Sequence, residues 1–189
     1  MKKVIFSTIA AAAVTLSGQA FAACGSISMA DMNWPSATLM ANVDRIILEE
    51  GYGCEVEMVA GATTTTFASM DAKGKPDVAP ELWTNAMAVA LGVAMDEGRL
   101  HSARKMPIQD LGEGWWVPDY VLAKNPDLKT VLDILERPDL FPAKEDPSKG
   151  EFIGCPAGWG CQLSNINLFR AFLWKRRVGS WLIRAHRPV

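Results

Sequence analysis

Between Ser26 and Glu97 the chain alternates short apolar runs with amphipathic ones, and this alternation restricts the fold more than any other feature. Ser26 to Met32 and Glu55 to Ala60 have the length and patterning of strands, and Pro76 to Leu82 resembles a third. Helices are expected from about Ala37 to Glu50, with Leu39, Met40, Val43, Ile46 and Ile47 on the apolar face, and again from Asn85 to Glu97. A further helix is expected from Thr63 to Met70, with Thr63 as its N-cap. Strand and helix in turn predict an α/β class with a mostly parallel sheet, because parallel neighbours need a crossover where antiparallel ones need only a hairpin. Ligands of such sheets sit beyond the carboxyl ends of the strands, and Trp34 and Trp83 each fall just past one. From Leu111 the pattern changes. Gly112 to Leu122 reads as a strand of a new unit, Leu128 to Leu135 as a short helix, and Arg137 to Lys149 as a loop rich in Pro, Lys and Asp. A boundary near His101 to Asp110 divides a first lobe, 23–105, from a second, 106–172.

Lys2 and Lys3 precede the apolar run Val4 to Leu16, and Ala20 and Ala22 are the small residues of a cleavage site, so residues 1–22 read as a secretory signal peptide. The run is too short to span a bilayer, which predicts a released, periplasmic protein. Acylation at Cys24 is the alternative, disfavoured because the bulky Phe21 stands where a lipoprotein site carries an aliphatic residue. Cys24, Cys54, Cys155 and Cys161 contain no Cys-x-x-Cys pair, and His101 and His186 lie far from them in sequence. That argues against zinc and against a thioredoxin-like centre, so no metal or cofactor is expected. In an oxidising compartment the four form two structural disulfides, Cys155–Cys161 locally and Cys24–Cys54 by elimination. Charge is uneven: beyond the leader, up to Phe169, there are 11 basic and 21 acidic residues. Arg170, Lys175, Arg176, Arg177, Arg184 and Arg187 then follow with no acidic residue among them.

The loop from Cys155 to Cys161 holds Trp159 between Gly158 and Gly160, a stiff mount for one indole. The helix expected from Gln162 to Phe172 would place Gly160 and Cys161 near its start, where free N–H groups suit a ligand carboxylate. The chain has 7 tryptophans, and the indole face is the best partner for a quaternary ammonium, which donates no conventional hydrogen bond. Trp34 and Trp83 serve equally well as ligand walls or as hinge packing. Trp115 and Trp116 would point to opposite faces of a strand, one into the core and one towards a cleft. No Gly-x-Ser-x-Gly elbow, phosphate loop or His-Glu-x-x-His helix occurs. Glu81, Glu113 and His101 are scattered and read as solvated surface, so an enzyme is not expected.

The segments Gly154 to Cys161, Glu81-Leu82-Trp83-Thr84 and Met32-Asn33-Trp34-Pro35-Ser36, in this order of elements, resemble the substrate-binding proteins of glycine betaine, proline betaine and choline ABC transporters. The resemblance runs from about Cys24 to Phe172. It implies a monomeric, two-lobed type II periplasmic-binding-protein fold, an osmoprotectant ligand and a membrane permease as partner. Trp83 and Trp159 would then be cage walls from opposite lobes, Trp34 a wall as in the choline-binding relatives, and Trp116 or Tyr120 a wall from the second lobe. Gly160 and Cys161 would be the carboxylate donors. Members of this family continue for about a further lobe's length, whereas residues 173–189 form a basic tail unlike them. Codons for the tail can be chosen so that a neighbouring frame spells a family-like continuation, so a frameshift near Leu173 is expected, with the C-terminal part of the fold missing and binding impaired. Two other readings compete: a secreted α/β enzyme of unknown reaction, and a protein whose basic tail binds an anionic surface. Under the transport reading no nucleic acid is expected.

Overall fold

A computed structural model of the protein describes residues 24–103, 112–176 and 181–185. The leader expected over 1–22 and most of the boundary expected at His101 to Asp110 lie outside these residues. Strands β1 (Ser26–Met32) and β2 (Glu55–Gly61) form a parallel pair, in register from Ser26 opposite Glu55 to Met32 opposite Gly61. Helix α1 (Pro35–Ile46) is the crossover between them. The fixed φ of Pro35 suits a first helical position, and the Thr38 N–H closes the turn onto the Trp34 carbonyl at 3.1 Å. One π turn, Ile47–Gly51, extends the helix towards Cys54, which is bonded to Cys24 across the two strand starts.

The apolar face expected for α1 is corrected. Ala37 and Ala41 are the residues buried, whereas Leu39, Val43, Ile46 and Ile47 are exposed. Met32 and Trp34 already fill the layer around Ala30, so the helix approaches through its methyl groups. The third strand shrinks to a single parallel bridge, Met29 to Val78. Val78 donates to the Ser28 carbonyl at 3.1 Å and accepts from the Ala30 N–H at 2.8 Å. The next rung would need an N–H at position 80, and Pro80 has none.

Helix α2 (Thr63–Lys73) starts from Ala62, not from Thr63, which is buried as its first helical residue. Gly74 ends α2 in the left-handed region at φ +64. A 3-10 turn, Asn85–Met87, then leads into α3 (Ala88–Asp96).

Beyond it, the strand expected at Gly112 to Leu122 does not form. Gly112, Gly114 and Pro118 interrupt it, and the chain passes instead into α4 (Asp119–Lys124) and α5 (Val131–Leu135), the latter opened by a Thr130–Asp133 capping box. Strand β3 (Gly150–Gly154), helix α6 (Gly160–Arg176) and strand β4 (Trp181–Ala185) complete the described chain, with β3 and β4 parallel. Part of the expected basic tail is therefore a sheet strand. Trp181 lies over Gly150, where any side chain would come within 2.9 Å of the indole, and its Nε1–H donates to the Leu135 carbonyl at 2.9 Å. Arg184 is neutralised by Glu145 and Glu151 at 2.7 and 2.6 Å. The second core is aromatic: Trp115 packs on Phe152, Phe169 and Phe172 with ring centroids 4.8, 4.8 and 5.9 Å away.

At the amino end of β1 the Asp77 carboxylate accepts from the Ser28 N–H and hydroxyl at 2.8 and 2.6 Å and from the Lys75 ammonium. Lys75 above all, and then Ser28, hold this carboxyl well below the usual carboxylate range. A depressed folded-state value adds stability that is complete above the unfolded value of about 4 and is lost as pH falls below it. Asp77→Asn is expected to lower the unfolding free energy by about 1 kcal/mol at neutral pH, discounted for partial exposure. The gap between the two proteins should shrink below about pH 4 in paired urea titrations. A gap that stays constant with pH would show that this carboxylate does not titrate as described.

Candidate functional site

Three indoles meet at the carboxyl ends of the first strand pair. Asn33 and Trp34 follow β1 directly, and the Asn33 N–H bonds the carbonyl of Gly61 at the end of β2 at 3.2 Å. Trp83 arrives from the segment after Val78, and Trp159 from the disulfide-closed loop, whose cysteine Cα atoms are 5.9 Å apart. Gly158 has φ +86, and a side chain there would put its Cβ 3.1 Å from that of Ala62. Only glycine fits that turn without strain. The Gly158 carbonyl accepts from both the N–H and the hydroxyl of Thr64, each at 3.0 Å, which fastens the loop to α2. Trp34 and Trp159 then meet edge to face, centroids 5.3 Å apart and planes at 67°, as adjoining walls rather than a parallel sandwich.

All three indole N–H groups are occupied. Trp34 and Trp83 both donate to Glu81 Oε1, at 2.8 and 2.7 Å, and Trp159 donates to Asn33 Oδ1 at 2.8 Å. The Ser36 hydroxyl gives Glu81 Oε1 a third donor at 3.1 Å. Glu81 is only 9 % exposed, which corrects its reading as solvated surface. With in-plane donors engaged, the half-buried Trp83 and Trp159 keep ring surface for a ligand, and such faces attract cations, whereas Trp34 is only 8 % exposed and packs in the core beneath them. Gly160 and Cys161 open α6 beside them; a side chain at Gly160 would put its Cβ 3.5 Å from the Trp83 carbonyl oxygen. Their first-turn N–H groups have no acceptor among the described residues, so they can receive an anion.

The sequence-predicted residues thus divide. Trp34, Trp83, Trp159, Gly160 and Cys161 come together. Trp116 is 86 % exposed, and neither it nor the exposed Tyr120 joins the cluster. Trp115 enters the second core, its indole N–H bonded to Asn165 Oδ1 at 2.8 Å. Glu113 and His101 are exposed, and Glu113 accepts from Asn85 Nδ2 at 3.2 Å. Both expected disulfides are present. Sequence reading missed Glu81 and Asn33 as partners of the rings, although each is a polar residue one or two positions before a tryptophan.

The fold and this cluster define a class: an α/β protein presenting aromatic faces and helix-start N–H groups beyond parallel strand ends. A family model described as the substrate-binding domain of an ABC-type glycine betaine transport system matches residues 25–176, and the chain belongs to that family. Its elements are those of a type II periplasmic-binding fold, and its role is that of a transporter's substrate-binding domain, not of an enzyme. The match stops before β4. A search of curated proteins found no match to this chain.

Proposed function

We propose that this chain captures a quaternary ammonium solute, glycine betaine foremost, in the periplasm and presents it to the membrane permease of an ABC importer. The observation that carries the reading is the convergence of Trp34, Trp83 and Trp159 with every indole N–H already bonded. Such a cage offers a trimethylammonium group π faces and shape, and asks it for no hydrogen bond. The free N–H groups of Gly160 and Cys161 supply the complement for a carboxylate, which favours glycine betaine or proline betaine over choline. The leader pattern from Lys2 to Ala22 supports a periplasmic location.

Calorimetric titration with glycine betaine, proline betaine, choline and proline tests this directly. Glycine betaine is expected to bind and to raise the unfolding temperature, with choline weaker and proline weaker still. Removing one desolvated wall in Trp159→Ala is expected to cost ~2 kcal/mol, roughly 30-fold in affinity. Absence of binding by any of the four solutes to the folded protein would sink the reading.

A further inference from the structure

We propose that Glu81 is a positioning residue of the aromatic cage: a single oxygen, Oε1, sets the planes of two walls that come from different parts of the chain. The role rests on the quaternary ammonium reading above and deepens it.

Trp34 stands just past β1, and Trp83 in a stretch with no regular secondary structure, so nothing in the backbone ladder fixes the angle of one ring against the other. Oε1 provides that link. It lies 2.8 Å from one indole nitrogen and 2.7 Å from the other, in a residue almost sealed from solvent. An indole N–H bond lies in the ring plane, so it restricts rotation of the ring without itself covering either face. An amide oxygen and a single carboxylate oxygen alike offer two lone pairs, and here three donors share them, counting Ser36. A carboxylate oxygen meets that demand best, because bonds to an ionised acceptor are shorter and stronger.

The second oxygen, Oε2, has no protein donor among the described residues. Glu81 therefore engages the cage through one oxygen alone, and an amide that keeps an oxygen in that place should preserve most of its effect. An aliphatic side chain of similar size would leave the buried Trp34 N–H and the half-buried Trp83 N–H without an acceptor and free both rings to turn. Cation–π attraction falls when a ring tilts away from the cation, so affinity should fall with the loss of order.

The test compares the native protein with Glu81→Gln and Glu81→Leu, using tetramethylammonium chloride and glycine betaine as probes in fluorescence and calorimetric titrations. Indole 15N–1H spectra, assigned with Trp34→Phe and Trp83→Phe, report the bonds themselves. Glu81→Leu is expected to lose about tenfold or more in affinity for both probes, and the Trp34 and Trp83 indole resonances should shift together. Glu81→Gln should recover most of that affinity with both resonances near their native positions. Either of two results overturns the proposal: a cooperatively folded Glu81→Leu protein that binds both probes as the native one does, or a Glu81→Gln protein as impaired as Glu81→Leu with its indole signals unmoved. If Glu81→Leu fails to fold, the Glu81→Gln arm decides by the same criteria. Should the native protein bind neither probe, the cage reading fails by itself, while the paired indole shifts still report whether Glu81 orders the two rings.

Discussion

Phe169→Ala is expected to lower the unfolding free energy by about 4 kcal/mol, close to the upper end for a buried phenylalanine. Phe169 is 2 % exposed, the largest fully buried side chain described. Its ring lies 4.8 Å from Trp115 and 4.6 Å from Phe152, so it joins the segment before α4, strand β3 and helix α6 in one contact. Truncation removes the transfer energy of the ring and both aromatic contacts, and the hole closes poorly because the facing walls are themselves large and rigid. Helix α6 also carries Gly160 at its start, so loosening its buried face should loosen the loop that presents Trp159. Urea unfolding of the variant is the measurement; a loss below about 1.5 kcal/mol would mean that the second core collapses around the gap.

The second large effect concerns Cys24 and Cys54. A parallel pair has no tight turn to set its register, and a slip of one residue would carry every side chain of the strand to the opposite face. The bridge, spanning 30 residues, ties the residue two positions before Ser26 to the one just before Glu55 and so fixes the register where the ladder begins. Opening it in a Cys24→Ser, Cys54→Ser protein is expected to cost about 3 to 4 kcal/mol by loop-closure entropy. Equilibrium unfolding of the oxidised protein and the double variant gives the difference. Equal stabilities would show that α1 and the sheet alone hold the register.

Much of the first unit was legible because its signals are local. Strand β1 carries Ile27, Met29, Ala30 and Met32 between polar residues, and the crossover helix is announced by Pro35. Of the adjacent tryptophans, Trp115 enters a core as expected of one of the pair, but no strand forms there and Trp116 faces solvent rather than a cleft. Three features were not legible, each for a physical reason. Val78 carries strand-like neighbours, but Pro80 lacks the N–H for the next rung. Glu81 is buried only because donors at positions 34, 36 and 83 converge on it after folding, and no local pattern announces that convergence. Strand β4 is short, lies in a stretch otherwise rich in Lys and Arg, and its partner β3 precedes an entire helix. The candidate site was legible in its aromatic residues and helix start, which stand beside glycine, proline or strand ends. Its polar supports were not.

Strand β4 imposes an order on how the molecule is made. The β3–α6–β4 unit cannot close its sheet until residue 185 is free to pair, so while the chain is being synthesised the Gly150 groove lacks its indole and Glu151 its guanidinium. The first strand pair, complete by Gly61, can form much earlier. The two strand pairs can therefore close at different times, the first well before the second.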